Sequence, residues 1–144
     1  MARVGKFLHY SDIVDGVNNV GTAFTTANRH DHVLSWAGAT DSTRFFGVVN
    51  GVEIVLTGDA TPTKATIRIT KDAAGDIVIV PDTEATLVDG VTTATTKSAA
   101  YRVDLPIRQD LGAAGNKTLY LFVKLDAVTG AGPVFAGSQL VWQE

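Results

Sequence analysis

The chain has 144 residues, 45% of them hydrophobic and 19% charged, with a formal net charge of −3 and no cysteine. A domain of this length buries roughly 68–70% of the surface its unfolded chain exposes, so it folds without metal or disulfide support, and wholesale disorder is excluded. The missing cysteines exclude a disulfide scaffold, a Cys nucleophile, an iron–sulfur cluster and a Cys-based zinc site, while the scattered basic residues argue against nucleic acid as a partner.

The first residues, "MARVGKFLHYSDIVDG", lack the apolar stretch of a signal peptide, and no window reaches 18 apolar residues. Synthesis in a cytoplasm, with no encoded export and no membrane partner, is the expectation. "GKFLHY" has the makings of a strand. "SDIVDGVNNVGTAFTT" spaces Val17, Val20, Gly21 and Phe24 in a near-helical way after the caps Ser11, Asp12 and Asp15, which allows one short helix. Residues 1–28 are therefore read as an N-terminal arm or a first strand or helix segment, and 29–144 as a single β-sandwich domain.

"NRHDH", residues 28–32, is the most chemical-looking stretch. On a strand, His30 and His32 would share one face, because side chains repeat every two residues. With Asp31 they are the metal-ligand candidates. A closed zinc site needs four ligands and a catalytic one needs three plus water, and the only other histidine is His9. The polar company of Asn28, Arg29 and Asp31 instead predicts a solvated turn leading into "HVLSW". No metal and no cofactor is expected.

"FFGVVNGVEIVL" (45–56) carries Asn50-Gly51 between apolar runs, the signal of a type I′ hairpin turn; the alternative is one longer strand bulged around Gly47 or Gly51. "ATIRITKDAAGDIVIV" (65–80) alternates Ile67 and Ile69 with polar residues and predicts a hairpin, with Gly75 in its turn and Pro81 ending the second strand. "TEATLVDG" reads as a short strand closed by Asp89-Gly90, and "VTTATTKSA" as a loop or exposed edge. "AAYRVDLPI" sets Tyr101, Val103 and Leu105 against Arg102 and Asp104, a half-buried strand. "RQDLGAAGN" is a loop. "KTLYLFVKLDA" is apolar on both faces and predicts a central strand. "DAVTGAGPV" is a loop and "SQLVWQE" the final strand.

The total is about seven to nine short strands, which predicts an all-β antiparallel sandwich or jelly roll. No nucleophile elbow, Walker A sequence or calcium loop appears. Asp72, Asp76 and Asp89 read as turn formers. Tyr10, Trp36, Tyr101, Tyr120 and Trp142 are the aromatic candidates for a ligand platform or an interface, with core or interface packing the favoured role and stacking on a ligand the alternative.

The segments "ATIRITKDAAGDIVIVPDTEATLVDG", "AAYRVDLP" and "TLYLFVKLDA" together resemble, in pattern and composition, the small β-sandwich structural proteins of tailed-phage virions. That resemblance implies a non-enzymatic capsid decoration or cement protein, made in the host cytoplasm and located in the virion. Its partners would be the major capsid protein or other virion proteins, and it would be a homo-oligomer, with a trimer favoured. A tail, neck or head-fibre component and a carbohydrate-binding β-sandwich are the alternatives.

Overall fold

The computed structural model describes residues 8–13, 22–25, 28–33, 44–110 and 118–143, and these form ten strands and no α-helix. In chain order they are β1 (Leu8–Asp12), β2 (Arg29–Val33), β3 (Arg44–Thr57), β4 (Lys64–Thr70), β5 (Val78–Thr86), β6 (Val88–Asp89), β7 (Thr96–Asp110), β8 (Thr118–Leu125), β9 (Val134–Phe135) and β10 (Gln139–Gln143). All pairings are antiparallel. The larger sheet runs β1-β10-β3-β7-β6, with β9 also on β3, and the smaller runs β2-β8-β4-β5.

The two-residue β6 and β9 are accessory. The other eight strands pair in nested order: β1 with β10, β2 with β8, β3 with β7, β4 with β5. The chain is thus one long antiparallel hairpin, wrapped so that successive pairs fall in opposite sheets. This is the strand order of a jelly roll, which decides between the two architectures the sequence allowed.

One apolar core fills the space between the sheets. Val49, Ile54, Leu56, Ala65, Ile67, Ile69, Leu119, Leu121, Val123 and Leu140 have no accessible surface. The inner-face residues of β8, each burying roughly 1.5–3 kcal/mol worth of apolar side chain, come at every second position as its alternation predicts. β8 is central, flanked by β2 and β4.

Its outer face is closed as well. Phe122 points away from the core yet is 3% exposed. Phe24 packs edge-on against it, at 6.3 Å between ring centroids. The β4–β5 turn folds over the same ring: a Cβ on Gly75 would lie 3.0 Å from Phe122. Gly75 has the positive φ expected of it, +86°. Asp72 holds this turn by accepting from the backbone N–H of Asp76 and Ile77, and Arg29 donates from Nη1 to the Ala73 carbonyl at 2.9 Å.

Several sequence expectations change. "NRHDH" is no turn: four of its residues build β2, because its polar and inward residues alternate. The Asn50-Gly51 hairpin is replaced by its alternative, a single 14-residue β3 with a register shift at Asn50. Apolar residues on both sides of that dipeptide find partners along one continuous strand, so no reversal is needed. Pro81 does not end β5. The strand continues to Thr86 on the sheet edge, and Arg68 alone opposes Pro81 and Asp82 in a bulge, where a missing N–H costs no ladder bond. "TEATLVDG" is split: Thr83–Thr86 finishes β5, buried Leu87 crosses between sheets, and Val88–Asp89 joins β7. β7 runs on to Asp110, so "RQD" is strand, not loop. The caps Ser11 and Asp12 lie in β1, at the edge of the larger sheet; the rest of the predicted helix core, 14–21, and Trp36 lie outside the described residues.

Candidate functional site

β2 turns His30 and His32 into the core, 4% and 1% exposed, and Asp31 outward. The His30 ring meets Phe135 edge-on at 5.1 Å. Burial, then the neighbouring His30, lowers the His32 pKa to about 4, with Asp31 opposing weakly. Asp31 instead pairs with Arg29 at 2.8 Å. The period-two geometry that puts the imidazoles together therefore puts the carboxylate on the other face. Among the described residues no three His, Cys, Asp or Glu side chains come together, and His9 belongs to β1 in the other sheet.

The aromatic candidates also separate. Tyr101 and Trp142 are core residues, 5% and 3% exposed, so neither presents a ring to a ligand. The Tyr101 hydroxyl donates to the Ala65 carbonyl, and burial pushes its pKa up. Tyr120 is half-buried beneath the Arg29 guanidinium, 5.4 Å from the ring centroid.

The loop carboxylates serve the backbone. Asp59 accepts from the N–H of Thr61 and Thr129, which outweighs burial and lowers its pKa. Asp126 accepts from the N–H of Thr63 and Lys64 and from the Thr63 hydroxyl; these bonds overcome burial and hold its pKa at about 2.

The most unusual backbone lies at the centre of the larger sheet. Two rows of core residues cross three strands there: Trp142–Val49–Leu105 and Leu140–Val52–Tyr101. Between those rows β10 contributes one residue (Val141), β3 two (Asn50, Gly51) and β7 three (Arg102, Val103, Asp104). Two bulges thus lie side by side and increase the local twist. Asp104 takes a positive φ of 46°, a conformation that Asp tolerates better than most residues. Its carboxylate accepts from Arg102 Nε. Gly51 passes so close to β7 that a Cβ would sit 2.4 Å from the Tyr101 carbonyl oxygen.

Neither a family model nor a curated protein matches this sequence.

On the outer face these bulges leave a shallow, open depression of about 290 Å³, lined by Asn50, Gly51, Glu53, Ala100, Arg102 and Val141 among others. The Asn50 Oδ1 atom is buried and has no donor among the described residues. Tyr10, 58% exposed, stands in register beside Val141. Val88 and Val134 are exposed toward the β6 and β9 end of the same sheet. Asn50-Gly51 was visible in the sequence as a turn signal; a tandem bulge was not, because it depends on which strands lie on either side.

Proposed function

We propose that this protein is a non-enzymatic structural component of a tailed-phage virion, a decoration protein that binds the head lattice through the outer face of its larger sheet. The observation that carries the reading is an asymmetry. The outer face of the smaller sheet is roofed by Phe24 and the β4–β5 turn. The outer face of the larger sheet, among the described residues, is not: it carries the bulged depression, with Tyr10 beside Val141 and with Val88 and Val134 exposed toward the β6 and β9 end, whereas the exposed apolar residues of the smaller sheet, Ile77 and Val78, sit at the start of β5.

Two further points support it. Jelly rolls recur in viral capsid domains, although also in lectins and cupins, so the fold raises the reading without deciding it. The loop acids Asp59, Asp72 and Asp126 are committed to backbone N–H groups, which is a structural use of carboxylates.

A decoration protein gains avidity from many copies on one lattice, and a trimer fits local three-fold positions. The test is co-sedimentation with expanded phage heads, read together with the heat resistance of the heads and the sedimentation coefficient of the free protein. Binding that raises heat resistance and is lost in Arg102→Glu or Tyr10→Ala supports the reading. Absence of the chain from purified virions, with no binding to heads, overturns it.

A further inference from the structure

Asn50 stands apart in β3. Val49 lies opposite Trp142 of β10 and Leu105 of β7, and Gly51 opposite Val141 and Arg102, so Asn50 has no residue opposite it on either side. The extra residue of a bulge is left unpaired, and the ladder around it is disrupted. Asn50 also lines the open depression. Its Oδ1 atom has no donor among the described residues, so no hydrogen bond there holds the carbonyl side of the amide in one orientation. The residue that follows must be glycine, because a Cβ at position 51 would strike the Tyr101 carbonyl oxygen. With no Cβ beside it, a glycine nitrogen is also the peptide nitrogen least hindered in attacking a neighbouring carbonyl.

We propose that Asn50 is a self-modifying site: in the folded protein it cyclises with Gly51 and converts to a mixture of aspartate and isoaspartate.

The reaction needs only water. The Gly51 backbone nitrogen gives up its proton to water or hydroxide and attacks Asn50 Cγ. The new N–Cγ bond closes a succinimide ring. The Cγ–Nδ2 bond breaks, and Nδ2 takes up a proton and leaves as ammonia. Water then opens the ring at either carbonyl. Addition at Cγ restores the backbone and leaves aspartate. Addition at the Asn50 main-chain carbonyl routes the backbone through Cγ and leaves isoaspartate. In sum an amide and a water become a carboxylate and an ammonium ion, with no oxidation or reduction.

Gly51 stays in register with Val141 and Arg102, so its nitrogen is reached through local opening of the bulge. Asp89-Gly90 shows the contrast. There the Gly90 N–H donates to the Thr96 carbonyl and Lys97 holds the Asp89 carboxylate, so both reacting groups are engaged. Conversion at Asn50 adds a negative charge to a chain whose formal net charge is −3, beside Glu53 and Arg102 in the depression. Isoaspartate also adds a backbone atom to β3 between the Trp142–Val49–Leu105 and Leu140–Val52–Tyr101 rows. The chemistry is the same whatever the outer face binds.

Incubation of the folded protein at mildly alkaline pH, followed by timed peptide mapping and enzymatic methylation of isoaspartate, tests this. The expected result is accumulation of both aspartate and isoaspartate at position 50, at a rate within about a hundredfold of that in the urea-unfolded chain, as local opening allows. The rate should be unchanged in Phe24→Ala, which weakens the outer face of the other sheet. An amide that stays intact, or converts more slowly than that, overturns the proposal. So does aspartate without isoaspartate, which marks direct hydrolysis in place of the ring. A rate that rises in Phe24→Ala in proportion to its lost stability also overturns it, by placing the reaction in the unfolded chain. Should that variant not fold, a parent rate that climbs steeply in urea below the unfolding transition has the same meaning.

Discussion

Tyr101 of β7 and Ala65 of β4 are joined across the two sheets, the phenol hydroxyl donating to the backbone carbonyl. Both residues are buried. Tyr101→Phe keeps the ring and removes the bond. It should lower stability by about 1–2 kcal/mol in urea denaturation, since the buried Ala65 carbonyl loses this donor. Tyr101→Ala also empties the core position and should cost about 3–5 kcal/mol. A Tyr101→Phe variant as stable as the parent would show that the cross-sheet bond contributes nothing net.

Gly51 has a steric obligation that Gly58 lacks. A Cβ at Gly51 meets the Tyr101 carbonyl at 2.4 Å, whereas one at Gly58 meets nothing within 4 Å. Gly51→Ala must shift β3 against β7 and should cost roughly 2–4 kcal/mol, in the range of overpacking and backbone strain. Gly58→Ala carries only the strain of its φ of +93° and should cost about 1 kcal/mol. Paired denaturation curves check the ranking; equal costs would place the bulge elsewhere.

Phe24 holds two cations over its ring, the Arg68 guanidinium 4.5 Å and the Lys124 ammonium 4.6 Å from its centroid. It also covers Phe122. Phe24→Ala should cost about 1–3 kcal/mol and raise binding of a hydrophobic dye at neutral pH, as Phe122 becomes accessible. Phe24→Leu should recover the cover but not the cation contacts, and so fall between the two.

Asp126 predicts an acid limb separate from that of His32, whose burial-lowered pKa removes stability as pH falls from 6.5 toward 4. The Asp126 folded-state pKa, about 2, lies below the ordinary aspartate value of 3.8, so its contribution is present above 3.8 and is lost as pH falls from 3.8 toward 2. Asp126→Asn should therefore flatten stability against pH in that window and leave the 6.5-to-4 window unchanged. His32→Leu should do the reverse. Thermal melts at half-unit pH intervals separate the two, and a single limb unaffected by either substitution would contradict both assignments.

Much of this architecture is legible in the residues. The alternation of β8, the Ile67/Ile69 hairpin with Gly75 in its turn, and the Tyr101–Val103–Leu105 face of β7 all reflect the period-two geometry of one chain segment. "NRHDH" was less legible. Its polar residues suggest solvent, and only the apolar layer opposite β2 makes His30 and His32 inward-facing core residues. Asn50-Gly51 favours a tight turn locally, yet the register demanded by β7 and β10 on either side overrides that preference.

The sequence by itself determined the all-β class, the main strands and most of the buried face, because each follows from the order of apolar and polar residues along a single strand. Tertiary structure alone decided the nested pairing, the crossing at Leu87, the tandem bulge and the burial of the histidine pair. Those features depend on contacts between residues far apart in the chain, and local periodicity carries no information about which strand becomes a neighbour.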